Sequence, residues 1–219
     1  MPFGHPCFGQ LRLCNCRQDE RQRRSREEIQ RMSNLDAFAD KTFATFDESI
    51  NGVQRAYKKA RHFAEHPEGW LFLSSTGFGC GKTHLAAAIV HEVLPRNYKA
   101  LFAVVPDLLD HLRSTFGPQS EVAYDQRFEM IRTIPLLVLD DLGTENATGW
   151  AREKLYQIIN HRYNYRLPTV ITSNRDIDKD IDKRISSRIC DVGLSELIEV
   201  DAADYRKRPK ERRTFQQRS

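Results

Sequence analysis

The chain has 219 residues, 34 Lys+Arg against 30 Asp+Glu for a formal net charge of +4, and 40% hydrophobic residues. That is enough to bury one substantial core and is ordinary for a globular protein. No stretch approaches the roughly 18 uninterrupted apolar residues of a membrane span, and the opening "MPFGHPCFGQLRL" lacks the charged-then-apolar layout of a secretory signal, so a cytoplasmic protein is expected. The cysteines, with Cys7, Cys14 and Cys16 together and Cys80 and Cys190 apart, do not form a disulfide framework.

In chain order, residues 17 to 33 ("RQDERQRRSREEIQRMS") mix both charge signs at helical spacing with almost no apolar face and read as a solvated helix. Four short apolar runs follow: "WLFLSS", "LFAVV" (101 to 105), "LLVL" (136 to 139) and "TVITS" (169 to 173). Each is too continuous for a strand with one wet face, which predicts buried parallel strands. Between them lie helical patterns, with Leu85, Ile89 and Val93 every four residues and Leu155, Ile158, Ile159 and Arg162 at a similar spacing. The alternation predicts an α/β fold with a parallel sheet covered on both faces. "LSELIEV" (194 to 200) is the candidate fifth strand, and "RKRPKERRTFQQRS" ends the chain with seven Lys/Arg against one Glu.

The first apolar run leads into "GFGCGKTHLA". A tight loop between a buried strand and a helix, with Gly77, Gly79 and Gly81 baring backbone N–H groups, makes a nest for a polyphosphate at the positive end of the helix dipole. Lys82 then reaches the β and γ phosphates, and the Thr83 hydroxyl ligates Mg2+. The pattern departs from GxxxxGK[ST] at Thr76, where the first glycine is missing. "LLVLDDLGTE" places Asp140 and Asp141 at the end of a neighbouring strand. The first suits the magnesium shell, and the second suits orienting or deprotonating an attacking water. Asn174 ends the strand of "PTVITSNRD" at the carboxyl edge of the sheet, where it would sense the γ-phosphate or serve as a simple cap or turn residue. Arg184 and Arg188 in "DKRISSRICD" lie four apart on one helix face, as surface charge or as an arginine finger.

Together these motifs resemble those of the AAA+ ATPases of the DnaC-type helicase loader and IstB-like family, over roughly residues 40 to 206. The resemblance implies a P-loop domain of AAA+ type with a five-stranded parallel sheet over 40–205, which leaves 1–39 as an N-terminal extension and 206–219, by its basic composition, as a tail expected to be disordered. It implies an ATP site formed by Gly77, Phe78, Gly79, Cys80, Gly81, Lys82, Thr83 and His84. It also implies Mg2+ on Thr83 and Asp140, catalysis by Asp141 and Asn174, and Arg188 as the finger with Arg184 one turn before it. ATP hydrolysis, self-association into an ATP-dependent oligomer, a replicative helicase partner and single-stranded DNA follow from the same resemblance.

Residues "HPCFGQLRLCNC" are similar to the second half of a zinc ribbon. His5, Cys7, Cys14 and Cys16 number the four ligands of a closed zinc site, but Cys-x-Cys is a tight bite, and a vestigial ribbon is the preferred reading. Phe43 and Phe46 are candidates for the adenine pocket wall, with plain core packing as the alternative. Arg113, Arg127 and Arg132 are candidates for contact with a DNA backbone, governed by phosphates and sensitive to salt. The rival functions are an IstB-like transposition helper, which shares every motif, a small-molecule kinase, and a non-hydrolysing nucleotide-switched adaptor.

Overall fold

The computed structural model describes residues 28–114, 121–144 and 148–207. All five expected strands are present: β1 (Trp70–Ser74), β2 (Ala100–Val104), β3 (Leu136–Asp140), β4 (Thr169–Ser173) and β5 (Ser195–Glu199). They form one parallel sheet in the order β2-β3-β4-β1-β5. The helices are α1 (Gln54–Glu65), α2 (Lys82–Val93), α3 (Val105–Ser114), α4 (Glu121–Thr133), α5 (Gly149–Asn164) and α6 (Lys183–Ile189). Among the described residues no helix is long and apolar enough to cross a membrane.

The continuous apolar runs are explained by burial on both faces. Because successive side chains of a strand point to opposite sides, Leu71, Leu73, Phe102, Val138 and Val170 pack with α1 and α2. Trp70, Phe72, Leu101, Leu137, Leu139 and Ile171 pack with α3, α5 and α6 on the other face. Complete burial of such side chains contributes about 1.5–3 kcal/mol each. α2 is buried nearly all round because α1 covers the side that the sheet does not, and Ala56, Ala60 and Ala64 on α1 keep the two helices close. α5 starts at Thr148, whose hydroxyl accepts from the Ala151 N–H, a favourable N-cap. The long stretch before Asp140 holds both α3 and α4, more than one crossover helix needs.

Residues 28–38 pack on the edge of the sheet, although the sequence groups them with the N-terminal extension. The Asn34 N–H donates to the Phe102 carbonyl, the Val104 N–H donates to Asn34 Oδ1, and Asn34 Nδ2 donates to Asp107. Met32 and Leu35 are buried beside them. This segment occupies edge strand β2, which would otherwise offer unpaired backbone groups. The cysteine cluster, the charged residues 17–27 and the basic residues 208–219 lie outside the described residues.

Arg162 sits on the apolar stripe of α5 and is completely buried. Its guanidinium donates to Thr169 Oγ1 at 2.8 Å and to the carbonyls of Ile134 at 2.8 Å, Pro168 at 2.5 Å and Arg132 at 3.2 Å. Burial pulls its pKa down to about 9, so it stays charged at neutral pH. The planar fork thereby ties α5 to the starts of β3 and β4. Replacing Arg162 with Met would leave these acceptors buried and unpaired, at about 1–3 kcal/mol for each one stranded. We expect Arg162→Met to lower the unfolding free energy by about 3 kcal/mol or more in urea titration, and a loss under about 1 kcal/mol would contradict that role.

Candidate functional site

The loop between β1 and α2 is shaped by two glycines. Gly79 and Gly81 have φ of +72° and +97°, values that residues with a Cβ rarely adopt. A Cβ on Gly81 would also stand 2.8 Å from the Phe46 ring, and one on Gly79 would overlap the Asp204 carboxylate. Lys82 is the first residue of α2 and is only 6% exposed. Its ammonium donates to Asn174 Oδ1 at 2.7 Å, to Cys80 Sγ at 3.2 Å and to the Gly77 carbonyl at 3.3 Å. All three acceptors are neutral. A buried cation held in this way beside a helix N-terminus is matched to an anion.

Strand alternation delivers the remaining groups to Lys82. Asp140 continues the side of β3 that carries Leu136 and Val138 towards α2, and Thr172 continues the side of β4 that carries Val170. The Thr172 hydroxyl donates to Asp140 Oδ1 at 2.6 Å and accepts from the Asp141 N–H at 2.9 Å. Burial raises the Asp140 pKa, opposed by hydrogen bonds from Thr172 and from Thr83, the residue after Lys82. Asp141 follows the strand at φ +61°, a strained conformation for a residue with a Cβ. Its Oδ1 accepts from Asn174 Nδ2 at 2.9 Å. Lys82, Asn174 and Asp141 are therefore linked in one hydrogen-bonded chain, with Asp140 and Thr83 alongside.

Other candidates lie outside this cluster. Arg188 donates to Asn160 Oδ1 at 2.7 and 3.0 Å, to the Tyr156 hydroxyl at 3.2 Å and to the Arg184 carbonyl at 2.6 Å. Both Arg184 and Arg188 lie over the Tyr156 ring, at 4.2 and 4.9 Å from its centroid. Within one chain the structure brings neither arginine to Lys82. Arg127 pairs with Glu28 and Arg132 with Glu129, while Arg113 is exposed at the end of α3. Phe78 is 67% exposed in the loop, and Cys80 is buried.

A family model described as IstB-like ATP binding protein matches residues 12–213. The chain belongs to the IstB-like ATP-binding family. It is 33% identical over 103 residues to the replicative helicase loader DnaI of Bacillus subtilis (strain 168), a match that takes in 47% of this chain and 32% of DnaI. It is 29% identical over 192 residues to the ATP-binding protein of insertion sequence IS5376 from Geobacillus stearothermophilus, covering 86% of this chain and 73% of that one. A crystal structure of the DnaC helicase loader superposes with a TM-score of 0.59 at 28% identity, over 74% of this chain and 97% of that one. The chain thus spans about a third of the length of DnaI, and its fold is that of the AAA+ P-loop domains.

Several residues of this IstB-like site escape a reading of the sequence. Thr172 carries a signal, a hydroxyl two positions before Asn174 on the same side of β4, but it sits inside an apolar run. The strap after β5 carries none. The Val200 N–H donates to the Ser74 carbonyl and the Tyr205 N–H to the Gly79 carbonyl, laying the strap across the phosphate loop. His84 bonds the linker: its Nε2 lies 2.8 Å from the Thr42 carbonyl, and its ring meets Phe46 edge-on. Phe46 stacks on Tyr57, and Phe43 is buried with its ring edge-on to Tyr57.

Burial lowers the His84 pKa below its ordinary 6.5, opposed chiefly by the Thr42 bond and to a smaller degree by Asp40, with Lys41 adding to the lowering. The unfolded chain therefore takes up this proton first as pH falls. The His84 contribution to stability is complete above pH 6.5 and is lost as pH falls through the folded value. His84→Gln, which keeps a donor for Thr42, should show a shallower loss of unfolding free energy on acidification across that window, followed by urea midpoints at matched pH. A slope equal to that of the unmodified chain would remove His84 from the account.

Proposed function

We propose that this chain binds ATP with Mg2+, hydrolyses it, and uses the cycle to help load a replicative helicase on single-stranded DNA. The observation that carries the nucleotide reading is Lys82, a buried ammonium whose bonds all go to neutral atoms. Beyond the neighbouring Asp140, which Lys82 already feels electrostatically, a triphosphate would supply negative charge directly to the ammonium. Thr83 and Asp140 offer the hard oxygen ligands that suit Mg2+, and a cation there favours the ionised form that burial of Asp140 opposes. When bound, Mg2+ would neutralise charge on the phosphates. Asn174 holds Asp141 in place, and Asp141 orients or deprotonates the attacking water. A phosphate that draws Lys82 to itself releases the Asn174 oxygen, so nucleotide occupancy reaches Asp141 through one amide side chain.

The helicase-loading reading is supported by the likeness to DnaI and DnaC, whose names state that activity. A transposition-helper ATPase is the second reading, favoured by the greater share of this chain that matches the IS5376 protein. Capture of a purified replicative helicase with ATP present, against capture of a transposase, decides between them. A small-molecule kinase is opposed by Asp141 and Asn174, and transfer of labelled phosphate to a metabolite rather than to water would establish it.

Lys82→Ala should abolish tight ATP binding, whereas Asp141→Asn should keep ATP-Mg bound and slow its turnover, both followed by nucleotide titration and phosphate release. Joint loss of binding and turnover in Asp141→Asn would reverse the roles given to the two aspartates. Arg188, turned away from its own loop, is proposed to complete the site of a neighbouring subunit. Arg188→Ala alone should lose on the order of 10³-fold in hydrolysis while still binding ATP, and mixing it with Lys82→Ala chains should restore part of the activity. No recovery in mixed oligomers shown to form would place Arg188 outside the reaction or make Arg184 the finger.

A further inference from the structure

A second cluster of ligand-type side chains lies at the opposite edge of the sheet. α1 ends at Glu65 and the chain turns through His66 into β1 at Trp70, whereas the phosphate loop leaves the other end of β1. His62, Glu65 and His66 follow each other at helical spacing, so i, i+3 and i+4 share one face of the last turn. The helical bond from the His66 N–H to the His62 carbonyl carries that face through the cap residue. The two imidazole rings stand 5.4 Å apart between centroids, and one ligand atom from each of the three residues lies within 4.8 Å of the other two. All three side chains are exposed.

We propose that His62, Glu65 and His66 bind one divalent transition-metal ion of the zinc class. Two imidazoles and one carboxylate are the donor set of three-ligand zinc sites that leave a fourth position open. Bonds of about 2.1 Å in a tetrahedron put ligand atoms roughly 3.4 Å apart, so the exposed side chains need only small rotations to close on an ion. The opposing interactions are weak. Glu65 makes a 3.8 Å ion pair with Arg61, with both side chains near half exposed, which is worth little. Lys59, a second nearby cation, is paired with Glu196 at 2.6 Å. His62 and His66 also line a cavity of about 350 Å3 with Glu68, Trp70 and Ser195. The Ser195 hydroxyl oxygen is buried there with no hydrogen-bond partner among the described residues. An ion held by these exposed side chains would lie beside this cavity, whose lining also includes Phe63, Leu71 and Leu194. An ion bound at this point ties the end of α1 without touching the nucleotide residues.

The test uses untagged full-length protein in which Cys7, Cys14 and Cys16 are replaced by Ser, because those thiols are the rival zinc ligands. Co2+ titration should give one saturable equivalent with visible d–d absorption and no thiolate-to-cobalt charge-transfer band, displaced by Zn2+. Zn2+ at a hundredfold excess over its Kd should raise the thermal midpoint by several degrees. The His62→Ala/His66→Ala double variant should lose more than the roughly 10–100-fold in affinity that follows loss of an outer-shell partner. Its circular dichroism and metal-free thermal midpoint should be unchanged, since both side chains are exposed. Glu65→Gln should weaken binding while keeping both imidazoles. Absence of a saturable cobalt spectrum in the chain lacking Cys7, Cys14 and Cys16 would overturn the site, as would equal affinity in the folded double variant.

Discussion

The site depends on the cost of holding one ammonium away from water. Lys82 is buried at the start of α2 with a side-chain amide oxygen, a backbone carbonyl and a thiol sulfur as its partners. None of these cancels a charge, and a thiol is a weak acceptor. The surrounding structure maintains this arrangement. Left-handed glycines let the loop wrap the side chain, and the register of β1 against β4 brings Asn174 to it. The alternation of β3 and β4 puts Asp140 and Thr172 on the same side.

A second buried cation shows the contrast. Arg162, at the other end of the strands, is saturated by carbonyls and a hydroxyl. Its five donors in a rigid plane suit several fixed acceptors, whereas the ammonium of Lys82 is a compact point charge. The first therefore works as a structural tie, and the second keeps the capacity to exchange a neutral partner for a phosphate. Burial is the same in kind at both ends, and the partners separate structure from function.

The loop is enclosed by elements distant in sequence. The linker before α1 is tied to α2 through His84 and Phe46, and the strap after β5 reaches Gly79. Both press on glycines that have no room for a side chain. On the far face, Tyr156 carries two arginines that have no role in their own chain's phosphate cluster. Guanidinium stacking on an aromatic ring at a partly exposed surface gives defined positions to charges that would otherwise be mobile.

The sequence by itself determined the fold class and singled out the residues proposed for the inner site. Strand, glycine loop, Gly81-Lys82-Thr83 and a helix are local in the chain, and their backbone conformations follow from the residues involved. Four of the strands and the position of Asp140 and Asp141 at a strand end were legible because burial on two faces writes itself as an unbroken apolar run, whereas edge strand β5 has one buried residue and a mixed sequence. Only the tertiary structure decided which partners those residues meet. The bond between Lys82 and Asn174 spans 92 positions and that between Thr172 and Asp140 spans 32, and both depend on strand order, which periodicity does not encode. Arg162 fell on an apolar stripe in the sequence, yet its burial became intelligible only when the carbonyls of Ile134 and Pro168 stood around it. The packing of residues 28–38 on β2, the strap over Gly79 and the turn of Arg188 onto α5 are likewise long-range. Each is set by what the folded surface left uncovered, and no local pattern of residues records that.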